Sequence, residues 1–198
     1  MAKGKRVKVV FLDVDGVINS SRSVMAKCGV LRTAESNTAL EELQAIFKDW
    51  GDEDIPYGPK YTIETIDPVA VFLVNRLMRE TSATLVLSTS HRDMFADANM
   101  PAGSQKQMHL LGLYFTAMGI KAPIYDITPK LFTQRGAEVK HWLDNSAQAV
   151  THYVILDDGR DFNANQNLIW CDPDIGFSHA NYFAASRELG QSETSLIY

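Results

Sequence analysis

Val9-Val10-Phe11-Leu12-Asp13-Val14-Asp15-Gly16-Val17-Ile18 decides how the rest of the chain is read. Valine, phenylalanine and leucine follow one another without a polar interruption, the pattern of a strand covered on both faces in a parallel sheet. The run ends on two carboxylates, so the acids stand where the strand leaves the core, the edge at which parallel α/β sheets bind ligands. Asp13 and Asp15 are two residues apart. In extended chain they point the same way at roughly 6–7 Å, close enough to converge on one small group, and Gly16 lets the backbone approach it. A calcium loop is excluded by spacing, because the sixth and twelfth positions from Asp13 hold Ile18 and Val24 where glycine and glutamate are required. A plain turn is the remaining alternative.

Around this stretch, 198 residues suffice for one domain with a sizeable core, 1–198, with a candidate small insertion in it. A net charge of −5 offers no electrostatic footprint for gripping long nucleic acid, although a local basic pocket can hold one phosphate. Cys28 and Cys171 form neither a CxxC nor a ligand cluster, so no disulfide framework or zinc site is expected, and a reducing cytoplasm fits. Lys3, Lys5, Arg6 and Lys8 precede an apolar run that breaks at Asp13, too short for a signal peptide or a membrane span. No feature points to a particular oligomer.

Along the chain, strand and helix patterns alternate, which argues α/β. Asn19 to Lys27 is polar without clear periodicity. A helix is expected through Leu40, Leu43, Ile46 and Phe47, with Thr38 and Glu41 as its capping box. A loop follows over 51–59, and residues 19–66 as a whole read as inserted. Asp67-Pro68 is a cap followed by a first-turn proline, with Val69, Phe72, Leu73 and Leu77 on the inner face. Ala83–Leu87 is a second strand that delivers Ser88, Thr89, Ser90, His91 and Arg92 to the edge of Asp13. Further expectations are a helix over Gln107–Met118 stopped by Gly119, a strand over Ala122–Ile127 and a helix over Gly136–Asp144. Strands over His152–Leu156 and Leu168–Cys171 and a final helix over Asn181–Leu189 complete the pattern. Trp142 and Trp170, on apolar faces, are expected in the core, and Trp50 near the insertion could stack a base.

Two acids after the first strand, hydroxyls after the second, a cation near a helix start and Asp157-Asp158 after the fourth form a kit for phosphoryl transfer. The Asp-x-Asp-Gly-Val at 13–17, the strand ending in Ser88 and the Asp157-Asp158-Gly-Arg-Asp161 run resemble the haloacid dehalogenase (HAD) superfamily of phosphohydrolases, over about residues 7–175. More narrowly, Leu-Ser-Thr-Ser-His-Arg (87–92), Arg-Gly-Ala-Glu-Val-Lys-His-Trp-Leu (135–143), Tyr-Val-Ile-Leu-Asp-Asp (153–158) and Asp-Pro-Asp-Ile-Gly-Phe (172–177) look like the branch associated with RNA repair. The resemblance implies a Rossmann-like fold, a central parallel sheet flanked by helices, with a small cap after the first strand. It also implies a phosphate on a nucleotide or a polynucleotide end as the target. The alternatives are a small phosphorylated metabolite and a binding module without turnover.

On this reading Asp13 attacks phosphorus and forms an aspartyl phosphate, while Asp15 protonates the leaving oxygen and later activates water. Acids this crowded cannot meet a phosphate dianion without a cation, and hard carboxylate oxygens favour Mg²⁺. Asp13, the Asp15 backbone carbonyl and Asp157 are its expected ligands, supported by Asp158 or Asp161. Ser88, with Thr89 beside it and the Gly16 backbone, would contact the phosphate, although Thr89 and Ser90 could equally cap a helix. The family places a lysine at the site. Here Arg135, Lys130 and Lys140 compete, and Arg135 is favoured because it can grip phosphate with two hydrogen bonds. Arg92 and Asp161 are candidate substrate contacts, Arg92 equally a surface salt bridge. Arg22, Lys27 and Arg32 form a basic cluster behind the catalytic loop. None of the five histidines has zinc spacing, so each is expected to be structural or exposed.

Overall fold

The apolar run does form a strand, β1 (Arg6–Leu12), and it lies at the centre of the sheet in a computed structural model that describes residues 5–29, 33–46, 59–96, 101–131 and 133–191. With β2 (Thr84–Leu87), β3 (Ile124–Ile127), β4 (Ala149–Asp157) and β5 (Leu168–Trp170) it makes a five-stranded sheet in the order β3-β2-β1-β4-β5. Every pairing is parallel. The order reverses beside β1, so the connections after β1 and β4 part there and leave a crevice at their carboxyl ends.

Alternation along β1 divides the interior. Val10 and Leu12 face the larger core, built with helices α2 (Ala34–Ile46), α4 (Pro68–Thr81), α5 (Gln105–Ala117) and α7 (His179–Glu188). Val9 and Phe11 face the opposite side, where α6 (Arg135–Asn145) covers them with Val139 and Trp142. Phe11 meets the Trp142 ring edge-on at 5.3 Å, a geometry worth about 0.5–1.5 kcal/mol beyond the area it buries.

The polar stretch after Ile18 holds a short helix, α1 (Ser21–Ala26), closed by a reciprocal capping box between Ser20 and Ser23. The next helix starts earlier than the Thr38 and Glu41 pattern suggests. Thr33 and Ser36 exchange cap hydrogen bonds of 2.8 and 3.1 Å, so the first-turn donors are already satisfied and Thr38 lies exposed inside α2. Of the expected loop over 51–59, residues 51–58 lie outside the described residues, as do Arg32, Phe47 and Trp50, while Pro59 is already the first residue of a helix. Helix α3 (Pro59–Thr65) leads into α4. Ala39, Leu43, Ile63 and Ile66, all within or at the end of 19–66, belong to the main core rather than to a separate one.

Asp67 caps α4 as its sequence predicts, accepting from Val69 N at 2.8 Å. The inner face differs from the expected one. Val69 and Phe72 are 49% and 58% exposed, and the buried stripe is Ala70, Leu73, Val74, Leu77 and Met78. Apolar residues exceed one face of this helix, and the face centred on Leu73 and Leu77 is the one that meets the sheet. Trp170 is also not core. It is 36% exposed on the edge strand β5, where alternation turns Ile169 inward, and the Arg160 guanidinium lies 4.3 Å over its ring. Both cysteines are free, Cys28 exposed and Cys171 buried. Among the described residues no helix is long and apolar enough to cross a membrane.

Candidate active site

Sheet register brings the sequence-predicted groups level. Leu12 pairs with Leu87 on one side and Leu156 on the other, and the ladder continues one residue further: Asp13 N donates to Leu156 O and Ser88 N to Leu12 O, at 3.0 and 2.9 Å. Asp13, Ser88 and Asp157 therefore leave three adjacent strands side by side. The loop 14–22 is held from below by the 172–177 stretch, through bonds from Phe177 N to Val17 O and from Ser21 N to Pro173 O. Gly176 at φ +78 permits this approach, since a Cβ there would lie 2.8 Å from Val17 O.

Asp13, Asp157 and Asp158 offer carboxylate oxygens that all lie within 4.8 Å of one another. Burial pushes the Asp13 carboxyl above its ordinary range, against the pull of Arg135. Burial, then the Asp13 charge, raises Asp157 to about 7, and Asp158 also rises through burial. Three hard oxygens this close together, their carboxyls raised chiefly by burial, are a donor set that fits a divalent cation such as Mg²⁺. Gly16 is required beside them: its φ is +71, and an added Cβ would stand 2.4 Å from Asp158 Oδ2.

Arg135, at the start of α6, is the cation that reaches the cluster. Its Nη1 lies 2.7 Å from Asp13 Oδ2 and 2.9 Å from Asp157 Oδ2, and it donates to Ser88 O at 2.9 Å. Lys130 and Lys140 pair with Asp93 and Asp144 instead. The Ser88 hydroxyl is fully buried at this edge and has no hydrogen-bond partner among the described residues. Of the two roles considered for Thr89 the structure gives the cap, its side chain accepting from His91 N at the start of the 3₁₀ turn Ser90–Asp93, and the same side chain hydrogen-bonds Asp13.

Asp15 stands outside this group of three carboxylates. Its Oδ1 accepts from Asn19 Nδ2 at 3.0 Å and its Oδ2 meets His91 Nε2 at 3.1 Å. The His91 hydrogen bond is the main reason that its carboxyl lies below the usual range. It opens onto a cleft of about 600 Å³ between α1 and α3, lined by Asn19, Val24, Tyr61, Thr62, His91 and Asp158 among others.

Two candidate substrate contacts have other partners. Arg92 is 7% exposed and forms a buried ion pair with Glu138 at 2.7 Å, with a second bond to Thr128 Oγ1 at 3.0 Å. It is neither at the surface nor turned toward Asp13, because Glu138 on α6 supplies the charge that burial of a guanidinium demands. Asp161 accepts from Arg135 N at 2.8 Å and so tethers the start of α6. Arg22 of the basic cluster bonds the Asp67 carboxylate at 2.8 Å and Ile175 O at 3.2 Å, tying the catalytic loop to the cap of α4.

The residue that sequence reasoning missed is His91. A histidine without a metal motif reads as structural, yet it stands three places after Ser88 in the segment delivered to this edge, and that proximity was the available signal. Asn19 and Glu138 gave no comparable sign.

No curated protein matches the chain in sequence. The family model describing the HAD domain in Swiss Army Knife RNA repair proteins matches residues 9–182, a span running from β1 through the acidic cluster into α7. With that match over nearly all of its length, the chain belongs to the HAD domain family of Swiss Army Knife RNA repair proteins.

Proposed function

We propose that this HAD domain is a Mg²⁺-dependent phosphomonoesterase that works through an aspartyl phosphate on Asp13, acting in the cytoplasm on a nucleotide or a polynucleotide terminal phosphate. The observation that carries the reading is the convergence of Asp13, Asp157 and Asp158 within 4.8 Å beside Arg135 and the unpartnered Ser88 hydroxyl. A buried hydroxyl without a partner costs stability unless a ligand completes it, and a phosphate oxygen is the acceptor that suits it.

In the first half-reaction Asp13 attacks phosphorus, the phosphorus–oxygen bond to the leaving group breaks, and Asp15 supplies the proton to the departing oxygen. In the second, water attacks the aspartyl phosphate, gives its proton to Asp15, and the bond from phosphorus to Asp13 breaks to release inorganic phosphate. The Ser88 hydroxyl donates to a phosphate oxygen and Arg135 turns its guanidinium from the carboxylates to the phosphate, whereas the Gly16 N–H, expected at the phosphate, is taken by Asn19 O at 2.7 Å and the Thr89 hydroxyl by Asp13. Asp13 and Asp157, with Asp158 and the Asp15 carbonyl, would hold Mg²⁺, which would supply the positive charge a dianion needs to enter this acidic site. Helices α1 and α3, within the candidate small cap 19–66, wall the cleft in front of Asp15 with Val24, Met25, Tyr61 and Thr62.

A screen of mononucleotides, sugar phosphates and oligonucleotides phosphorylated at either end tests the reading. Phosphate release that needs Mg²⁺ and Asp13 is the expected result, and no release from any of them would overturn it. Comparison of kcat/KM for a mononucleotide and a five-nucleotide oligomer at two salt concentrations then separates the substrates. Preference for the oligomer that weakens with salt marks a polynucleotide end. Equal, salt-insensitive values mark a free nucleotide, and activity confined to sugar phosphates marks a metabolite phosphatase.

A further inference from the structure

His91 is 6% exposed, yet both of its ring nitrogens are engaged. Nε2 lies 3.1 Å from Asp15 Oδ2, and Nδ1 lies 3.1 Å from the Tyr114 hydroxyl. The two rings are nearly parallel, at an interplanar angle of 9° with centroids 6.0 Å apart. Behind them the Thr62 side chain hydrogen-bonds the Tyr114 hydroxyl. Thr62, Tyr114 and His91 are all buried, and Thr62 and His91 border the cleft onto which Asp15 opens.

The direction of these bonds follows from the groups. An ionised carboxylate offers only lone pairs, so His91 Nε2 carries the hydrogen on that side, and Nδ1 of the neutral ring accepts from the Tyr114 hydroxyl. Tyr114 then accepts from Thr62. The row therefore sets the tautomer of His91 and delivers one N–H to one oxygen of Asp15, while Asn19 delivers another to the second oxygen at 3.0 Å. With both oxygens held, the side chain is restrained in one orientation at the cleft it lines.

We propose that His91 is a positioning residue for the hydrolytic half-reaction, holding Asp15 at the angle from which it takes the proton of the attacking water, with Tyr114 and Thr62 fixing its tautomer. The inference rests on the phosphatase reading above. In the step concerned, the water oxygen bonds to phosphorus, one water proton passes to Asp15, and the electrons of the phosphorus–oxygen bond return to the Asp13 carboxylate. Because Thr62 sits on α3, the row also joins the wall of the cleft to the acid that works in it.

The test uses p-nitrophenyl phosphate, whose leaving group departs readily without a proton, so formation of the phosphoenzyme leans little on Asp15 and breakdown leans on it fully. Rapid-quench measurement of His91→Ala should show a burst of about one p-nitrophenol per site and accumulation of acid-stable phosphoprotein. Its steady rate should fall roughly 10–100-fold, less than the ~10²–10⁴-fold of losing the base itself. His91→Gln, whose amide can donate to the same oxygen, should recover part of that rate. Tyr114→Phe keeps the buried ring and should give a weaker burst of the same kind, and it carries the test if His91→Ala does not fold. Equal slowing of the first turnover and the steady state, unchanged kinetics, or a glutamine variant no better than alanine would overturn the proposal. Failure of the underlying reading looks different: the wild-type protein itself would form neither p-nitrophenol nor phosphoprotein.

Discussion

Replacing Arg92 with methionine should destabilise the protein rather than weaken substrate binding. The guanidinium is 7% exposed, its Nη2 lies 2.7 Å from Glu138 Oε2, and its Nη1 donates to Thr128 at 3.0 Å. Glu138 is itself only 5% exposed, so removal of Arg92 leaves a buried carboxylate without its counter-charge. Breaking a buried pair from one side costs about 3–5 kcal/mol. Glu138 keeps one bond, from Leu131 N at 2.9 Å, which puts the expected loss near the lower end. For a chain of this size about 3 kcal/mol corresponds to a fall in Tm of roughly 6–12 °C. The double replacement Arg92→Met with Glu138→Leu removes both charges and should recover most of that loss, because apolar groups of similar volume can replace a buried pair at little or no cost. Urea unfolding of the wild type, both single variants and the double variant measures the coupling directly. Single losses under about 1 kcal/mol that simply add in the double variant would refute the buried-pair argument. A raised KM with unchanged stability would return Arg92 to the substrate.

Asp13→Asn should fold as the wild type does and lose turnover, since it removes the nucleophile and none of the apolar packing of β1; wild-type rates from the folded variant would end the covalent mechanism. Gly16→Ala places a side chain at φ +71, which costs about 1–2 kcal/mol, and drives it into the Asp158 carboxylate. Its Mg²⁺ affinity, read by titration of activity, should fall roughly tenfold or more, and an unchanged affinity would remove Asp158 from the metal set. The pH dependence has a definite sign. Burial and the Asp13 charge raise Asp157 from an ordinary 3.8 to about 7, so the metal-free fold is favoured below pH 3.8 and loses that contribution as pH rises through 7. Mg²⁺ binds the ionised form, so the rise in Tm on adding Mg²⁺ should be larger at pH 8 than at pH 5.5. Equal rises at the two pH values would show that Asp157 is not a ligand.

The sequence by itself determined the parallel α/β class, the strand and helix order, and the delivery of Asp13, Ser88 and Asp157 to one edge. These depend on local signals: uninterrupted apolar runs that must be buried, the Asp67-Pro68 cap, and acids placed where the runs stop. Tertiary structure alone decided which charged groups face each other. Arg135, Lys130 and Lys140 look alike along the chain, and only the seating of α6 against β4 brings the first to Asp13 and Asp157. Arg92 follows the phosphate-binding hydroxyls in sequence but finds Glu138, 46 residues on, because α6 packs across the end of the segment that carries it. His91 reads as one more structural histidine until the fold sets Tyr114 behind it and Asp15 in front. Apolar burial repeats with the period of the backbone and is legible in one dimension, whereas a hydrogen bond or an ion pair depends on a few ångströms between residues whose separation in sequence carries no trace of it.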